Sequence, residues 1–314
     1  MDQNYGMELV RATELAALTA ALHQGQGDPK RLLNASRAAL VRGLGRINVR
    51  AQVINDRFMG KEGIMPLPPS AGFGTNDMEI ASLSVEGFES TAHGKNNSAS
   101  FAAIATPGNL MPLPRLWAEL IVVPQEAYGV VDLTQPPTTN IKRVARSLKK
   151  YTENITVVVL DAPRHHELIT QIQSCGARIK RIAAGEISGA LSVLTGKADL
   201  FMGIGLAPDL GMIAAAIRCL GGYLEGRLII ENDADRALAR EFGMEQPERV
   251  YKVEDLADSH EVSFAATGIT QGQFLNGVHF TRNGAVTHSF VARGESRTFR
   301  RIETTHFFDH MPVF

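Results

Sequence analysis

From residue 155 onward the chain alternates between short apolar runs and helical stretches, and this alternation constrains the fold more than any other feature. ITVVVL (155–160) is a continuous apolar run, as a strand shows when both of its faces are covered. A helical stretch follows at about 165–175, then ARIKRI, a helix over 187–195, ADLFMGIG, a helix over 209–220, and GRLII. Strand and helix in strict alternation imply right-handed crossovers and a mainly parallel sheet. Ligands of such sheets sit at the carboxyl ends of the strands. The loops expected there are DAPRHH, AAGE, GIGLAPD and IENDAD.

The first half is built differently. Residues 7–24 have helical spacing, and Asp28-Pro29 opens a second helix running to Leu44, since proline suits a first helical turn. AQVI, EIASLSV and SASFAAIA then read as strands. The loops between them, MPLPPSAGFGTND and EGFESTAHGKNN, are the most polar and most Gly- and Pro-punctuated part of the chain. A Pro-rich connection (107–116), a short strand ELIVVP and a basic helix at 138–151 follow. The last fifty residues are strand-rich again: VSFAATG, AVTHSFVARG and SRTFRRIETTHFF. The expected division is an N-terminal lobe, 1–135, carrying acidic loops, and a C-terminal α/β lobe, 136–314.

With 32 basic against 33 acidic residues, no field of one sign is available to hold nucleic acid or an anionic membrane. Any phosphate site must be local. No apolar run approaches the roughly 20 residues of a bilayer span. The opening MDQNYGMELVRATELAAL mixes acids through it and lacks the apolar stretch of a signal peptide, so a cytoplasmic location is the default expectation. Cys175 and Cys219 read as isolated thiols, without a disulfide framework or a metal-type spacing.

Several segments could carry chemistry. GIGLAP (203–208) follows a strand and precedes a helix, which makes it an anion-holding helix start or a tight turn. Its glycines do not fall at dinucleotide spacing. In PRHH, Arg164 offers a rigid fork of donors suited to phosphate. His165 and His166 read either as acid–base or metal-binding groups or as surface residues. RGESRTFRR holds four arginines; on a strand Arg297 and Arg301 would share a face and Arg300 would point away. That is a phosphate-binding face or an edge strand blunted by charge. Loop acids are scattered: Asp28, Asp56, Asp77, Glu79, Glu86, Glu89 and Asp209. Carboxylate-bound Mg²⁺ or Mn²⁺ would suit phosphate-ester hydrolysis, but spacing alone does not bring these acids together.

Taken in order, LDAPRHHELITQIQSCGARIKRI, ADLFMGIGLAPDLGMIAAAIRCLGGYLEGRL, FAATGITQGQFLNGV and RGESRTFRRIETTHFFD resemble the class II fructose-1,6-bisphosphatases. The opening ELVRATELAAL and GQGD fit the same family. The resemblance implies a two-lobed α/β sugar-phosphatase fold with αβαβα layers. It implies Mg²⁺ or Mn²⁺, hydrolysis of the 1-phosphate of fructose 1,6-bisphosphate or sedoheptulose 1,7-bisphosphate, and a homo-oligomer, dimer or tetramer. A small-molecule sugar phosphate is the partner it implies, with no nucleic acid and no membrane.

Carried over residue by residue, Asp28 takes a metal-ligand position and Asp56 falls on a metal-binding, catalytic glutamate. The family's DPIEGT is LSVEGF here. Glu86, a metal ligand and catalytic group, and Gly87 match. Leu83 stands where a metal-bridging aspartate is expected, and Phe88 where a threonine orients the attacking water. Asp209 replaces a glutamate ligand. On the substrate side Arg164 and His165 match, with Ala162 in place of a lysine. A DGD loop is Ala184-Gly185-Glu186, Gly205 joins the substrate set, and a substrate-contacting tyrosine falls on Leu116. The terminal arginines match. Leucine in place of a bridging carboxylate removes a ligand, because a hard divalent cation needs oxygen there. The resemblance therefore implies a metal-dependent sugar-bisphosphate phosphatase with a rearranged site. Its alternatives are a paralogue that binds a sugar phosphate or a protein without catalysis, and a different reaction using His93 or His165.

Overall fold

The computed structural model describes residues 5–56, 65–66 and 77–308, with the side chains of Asp56, Met65 and Pro66 outside the description. Two helices come first, α1 (Gly6–Ala21) and α2 (Pro29–Leu44). They are followed by β1 (Arg50–Asp56), β2 (Met65–Pro66), β3 (Asp77–Leu83), α3 (Phe88–Ala92) and β4 (Ala99–Ala105). Next come β5 (Trp117–Val123), α4 (Pro137–Ser147), β6 (Thr156–Leu160), α5 (His166–Ser174), β7 (Arg178–Ile182) and α6 (Glu186–Leu194). The alternation continues through β8 (Leu200–Leu206), α7 (Ala207–Leu220), β9 (Tyr223–Leu228), α8 (Asp233–Glu241), β10 (Tyr251–Lys252) and α9 (Val253–Leu256). The chain closes with β11 (Val262–Gly268), β12 (His279–Thr281), β13 (Gly284–Arg293) and β14 (Thr298–Phe307).

The strands form two sheets. The first runs β12-β13-β11-β4-β3-β1-β2, with β14 on the other edge of β13, and the second runs β10-β9-β5-β8-β6-β7. Alternation along each strand sorts the core into layers. Met78 and Ile80 of β3 and Ala102 and Ile104 of β4 face α1. Ala81, Leu83, Phe101 and Ala103 face inward, where α6 and α7 lie between the sheets. In the second sheet Leu120, Val122 and Val158 face that middle layer. Ile121, Val123, Val157 and Val159 face α4 and α5 on the outside. The order is α, β, α, β, α. Small residues set the spacing: a Cβ on Gly43 would lie 2.6 Å from the Cα of Ala12, so α1 and α2 cross nearly in backbone contact. Truncating one of the buried rings, such as Phe101 or Phe264, would cost about 3–5 kcal/mol.

The four strands of the sequence alternation all point the same way, as expected, but the pairing is mixed. β6 pairs in parallel with β7 and β8, while β5 inserts antiparallel between β8 and β9. The expected division at 135/136 does not follow the sheets. β5 belongs to the second sheet, and β11 returns to pair with β4 along its whole length, Val262↔Ala105 through Gly268↔Ala99. The second lobe is thus an insertion between β4 and β11. The outgoing and returning segments run side by side: Leu110 bridges Ala257, and Asn109 Oδ1 accepts from Ser259 N at 2.7 Å. Among the described residues no helix is long and apolar enough to cross a membrane.

Candidate active site

The loops after β3, β6, β7 and β8 meet where the two lobes face each other, and glycines let them approach. Gly185, with φ +102, precedes α6; a Cβ there would lie 2.8 Å from Glu86 Oε2 and 2.9 Å from Asn97 Nδ2. A Cβ on Gly87, φ +70, would lie 2.6 Å from the Cβ of Ala184. Asn97 itself sits at φ 74, a conformation that asparagine tolerates better than most residues. Its Nδ2 donates to Ala184 O at 2.5 Å, and its Oδ1 accepts from Gln273 N at 3.0 Å.

Glu86 is fully buried and holds the start of α6. Its Oε1 accepts from Ile187 N at 2.7 Å, and its Oε2 accepts from Ser188 N at 3.1 Å and Ser188 Oγ at 2.5 Å. A carboxylate in that place satisfies otherwise orphaned helix donors and meets the positive end of the helix dipole. The family resemblance implies that Glu86 is a metal ligand and catalytic group. Here both oxygens are committed to a helix of the other lobe.

Arg164 lies on the opposite wall. Its Nε donates to Ile204 O at 3.1 Å, its Nη2 meets Glu186 Oε1 at 3.3 Å, and its guanidinium lies 4.9 Å over the Trp117 ring. Its side chain is a third exposed, and among the described residues Nη1 has no partner. Glu186 is buried against β8, where a Cβ on Gly205 would lie 2.9 Å from its Cγ. A side chain at Gly205 would therefore displace the carboxylate that orients Arg164.

His165 differs from the expected substrate contact. It is buried, its Nδ1 lies 3.1 Å from Leu160 O, and its Nε2 accepts from Ile204 N at 2.8 Å. That pairing fixes the neutral tautomer with the proton on Nδ1. Burial, with Arg164 alongside, holds its pKa below the ordinary histidine value. His165 is a tie between the β6–α5 loop and β8. Of the remaining terminal arginines, Arg297 lies in the turn before β14 at φ 49 and does not share a strand face with Arg301.

Of the expected metal ligands, Asp28 is exposed and caps α2 by accepting from Arg31 N at 2.9 Å. Asp209 is buried in the first turn of α7. Asp56 closes β1 opposite Ser82, and its side chain lies outside the described residues. Leu83 is packed in the middle-layer core, and Phe88 packs against the cluster of Ala17, Leu32 and Val85. Leu116 is likewise core. Among the described residues no three His, Cys, Asp or Glu side chains converge to hold a metal ion.

Trp117, Asn97 and Ser188 are site residues that sequence reasoning missed. The lone tryptophan at a strand start was the available signal for the first. Serine at a helix start was the signal for the last. A separate cavity of about 700 Å³, lined by Tyr128, Tyr223, Glu225, Arg143 and Lys252 among others, contains none of these residues.

The family model described as bacterial fructose-1,6-bisphosphatase, glpX-encoded, matches residues 3–306. A protein of a Synechococcus species, described as D-fructose 1,6-bisphosphatase class 2/sedoheptulose 1,7-bisphosphatase, is 35% identical over 98% of this chain and 97% of its own length. Proteins of the same description from Microcystis aeruginosa and Synechococcus elongatus are 32% and 34% identical, each over 98% of both chains.

Proposed function

We infer, from this chain's belonging to the bacterial glpX-encoded fructose-1,6-bisphosphatase family, that it acts on a sugar bisphosphate and removes one phosphate by hydrolysis. Fructose 1,6-bisphosphate and sedoheptulose 1,7-bisphosphate are the substrates that its relatives' descriptions point to. The observation that carries this reading is Arg164. A guanidinium fixed by a carbonyl, a carboxylate and an aromatic face, with one edge still open to solvent, is prepared to receive a phosphate oxygen pair. Glu186 and Gly205 set its position. Gly87, Ala184 and Gly185 bring the facing wall within reach, and the Glu86 bonds hold α6, and so Glu186 at its first turn, in register with β8.

A second reading has its own support: a member that binds the sugar phosphate without hydrolysing it. Leu83 in the core and the committed oxygens of Glu86 leave no converging carboxylate set among the described residues. One experiment separates the two. Phosphate release from both bisphosphates is measured with Mg²⁺ or Mn²⁺ added, and binding is followed in parallel by calorimetry. Release that Arg164→Ala abolishes or weakens supports hydrolysis. Binding that Arg164→Ala weakens, with no release, supports the second reading. Neither binding nor release sinks both.

A further inference from the structure

We propose that the separate cavity of the second lobe is a binding site for a small zwitterion, a molecule that carries a carboxylate and a primary ammonium a few bonds apart, as amino acids do. The cavity shares no residue with the candidate active site, so the proposal stands apart from the phosphatase reading. It encloses about 700 Å³, a size that small-molecule sites share. Its walls come from β9, from the connection between β5 and α4, and from β10 with the start of α9, while Arg143 of α4 completes it.

One part of the lining offers acceptors and aromatic rings. Tyr128 and Tyr223 meet edge to face, with ring centroids 4.8 Å apart. Tyr223 Oη donates to Glu225 Oε1 at 2.8 Å, and Tyr128 Oη donates to Glu254 Oε1 at 3.3 Å. Both hydroxyl protons are spent in this way, so each phenol oxygen remains as an acceptor. Glu225 is buried, and its Oε2 accepts from Leu133 N at 2.7 Å, which fixes the carboxylate against the ring. Among the described residues Glu254 Oε2 has no hydrogen-bond partner. Carboxylates beside two phenol rings suit a primary ammonium, which donates three hydrogen bonds and is attracted to a ring face.

The other part offers positive charge. Arg143 and Lys252 are exposed and line the same cavity from different elements. Neither forms an ion pair among the described residues. Asp132 also lines the cavity, but Thr134 engages it, N at 2.9 Å and Oγ1 at 2.6 Å. Those bonds first, and Arg143 to a smaller extent, hold its pKa below the ordinary aspartate value. An unpaired guanidinium and an unpaired ammonium at one cavity suit a carboxylate. The two signs together choose the occupant. An anion alone would meet Glu225, Glu254 and Asp132, and a cation alone would meet Arg143 and Lys252. A molecule with both charges pairs each with its opposite, and the mismatch rejects the other two.

The test is a thermal-shift screen of the full chain against the common amino acids, followed by calorimetry with the one that raises the midpoint most. Acetate and methylamine, which carry one charge each, serve as half-ligands and should bind at least roughly tenfold more weakly. Arg143→Ala, Lys252→Ala and Glu254→Gln should each raise the dissociation constant roughly tenfold or more, since each removes a charge-assisted contact. All three residues are exposed, and unchanged urea midpoints would show that the variants fold. Arg164→Ala should leave the dissociation constant unchanged, which separates this cavity from the candidate active site. A screen in which no amino acid binds overturns the proposal. So does a half-ligand that binds as tightly as the amino acid, binding that all three cavity variants leave unchanged, or binding that Arg164→Ala abolishes.

Discussion

The two walls of the candidate site treat their charged groups in opposite ways. On the first-lobe wall, Glu86 is buried and each of its oxygens accepts hydrogen bonds from the start of α6. On the second-lobe wall, Arg164 keeps a third of its side chain exposed and spends only part of its fork on Ile204 and Glu186. The same loops that would be compared in a search for reactive groups therefore hold one charge that builds the molecule and one that faces outward. Charge type and position in a loop do not separate these roles; the number of donors left unmet does.

The sharpest way to break that contrast is Glu86→Ala. It orphans two buried backbone donors and a hydroxyl, and stability should fall by about 3–6 kcal/mol, read by urea unfolding. A loss below about 1 kcal/mol would mean that the carboxylate does not hold α6. Next comes Gly185→Ala. It forces an alanine to φ +102 with its Cβ against Glu86 Oε2, and should cost about 2–4 kcal/mol by disturbing the start of α6. On the other wall the sign of the contrast reverses. Arg164→Ala should change stability by less than about 1 kcal/mol, as a part-exposed ion pair warrants, yet weaken bisphosphate binding about 10- to 100-fold. Arg164→Lys should rescue little of it, because an ammonium cannot reproduce the fork. Equal losses of stability and binding at both residues would erase the distinction.

The smallest effect lies in pH. His165 has a folded pKa below its ordinary 6.5, so between those two values the unfolded chain takes up a proton that the folded chain refuses. Stability from this group is complete above about pH 6.5 and declines as pH falls below it. Urea midpoints compared between pH 5 and pH 8 should therefore diverge more in the wild type than in His165→Gln.

Much of the fold was legible because its strands are long apolar runs. ITVVVL and ADLFMGIG each fell on β6 and β8 with no competing reading. What the sequence hid is pairing over distance. Nothing local in WAELIVV says that it will insert antiparallel between β8 and β9, and nothing in VSFAATG says that it will return to β4. Gly185 and Gly87 entered the sequence reading through the family resemblance, and their left-handed backbone is visible only in the fold. The role of Glu86 was not legible either. An acid after a strand and before a glycine looks the same whether it faces solvent, a cation or a helix end. Asn97 was overlooked because its left-handed turn lies inside a polar loop rich in candidates.

The insertion of one lobe between β4 and β11 also fixes an order in time. During synthesis β4 leaves the ribosome as the provisional end of its sheet, with Phe101, Ala103 and Ile104 lacking the neighbour strand that will cover that edge. Its partner is encoded from residue 262, and at 5–20 residues per second the wait is roughly 10–30 s. Meanwhile every strand of the second sheet, β5 through β10, has already been made and has its partners in hand. The strands of the second sheet and the start of α6, which Glu86 will hold, are therefore all synthesised before β11, the strand that covers the free edge of β4, leaves the ribosome.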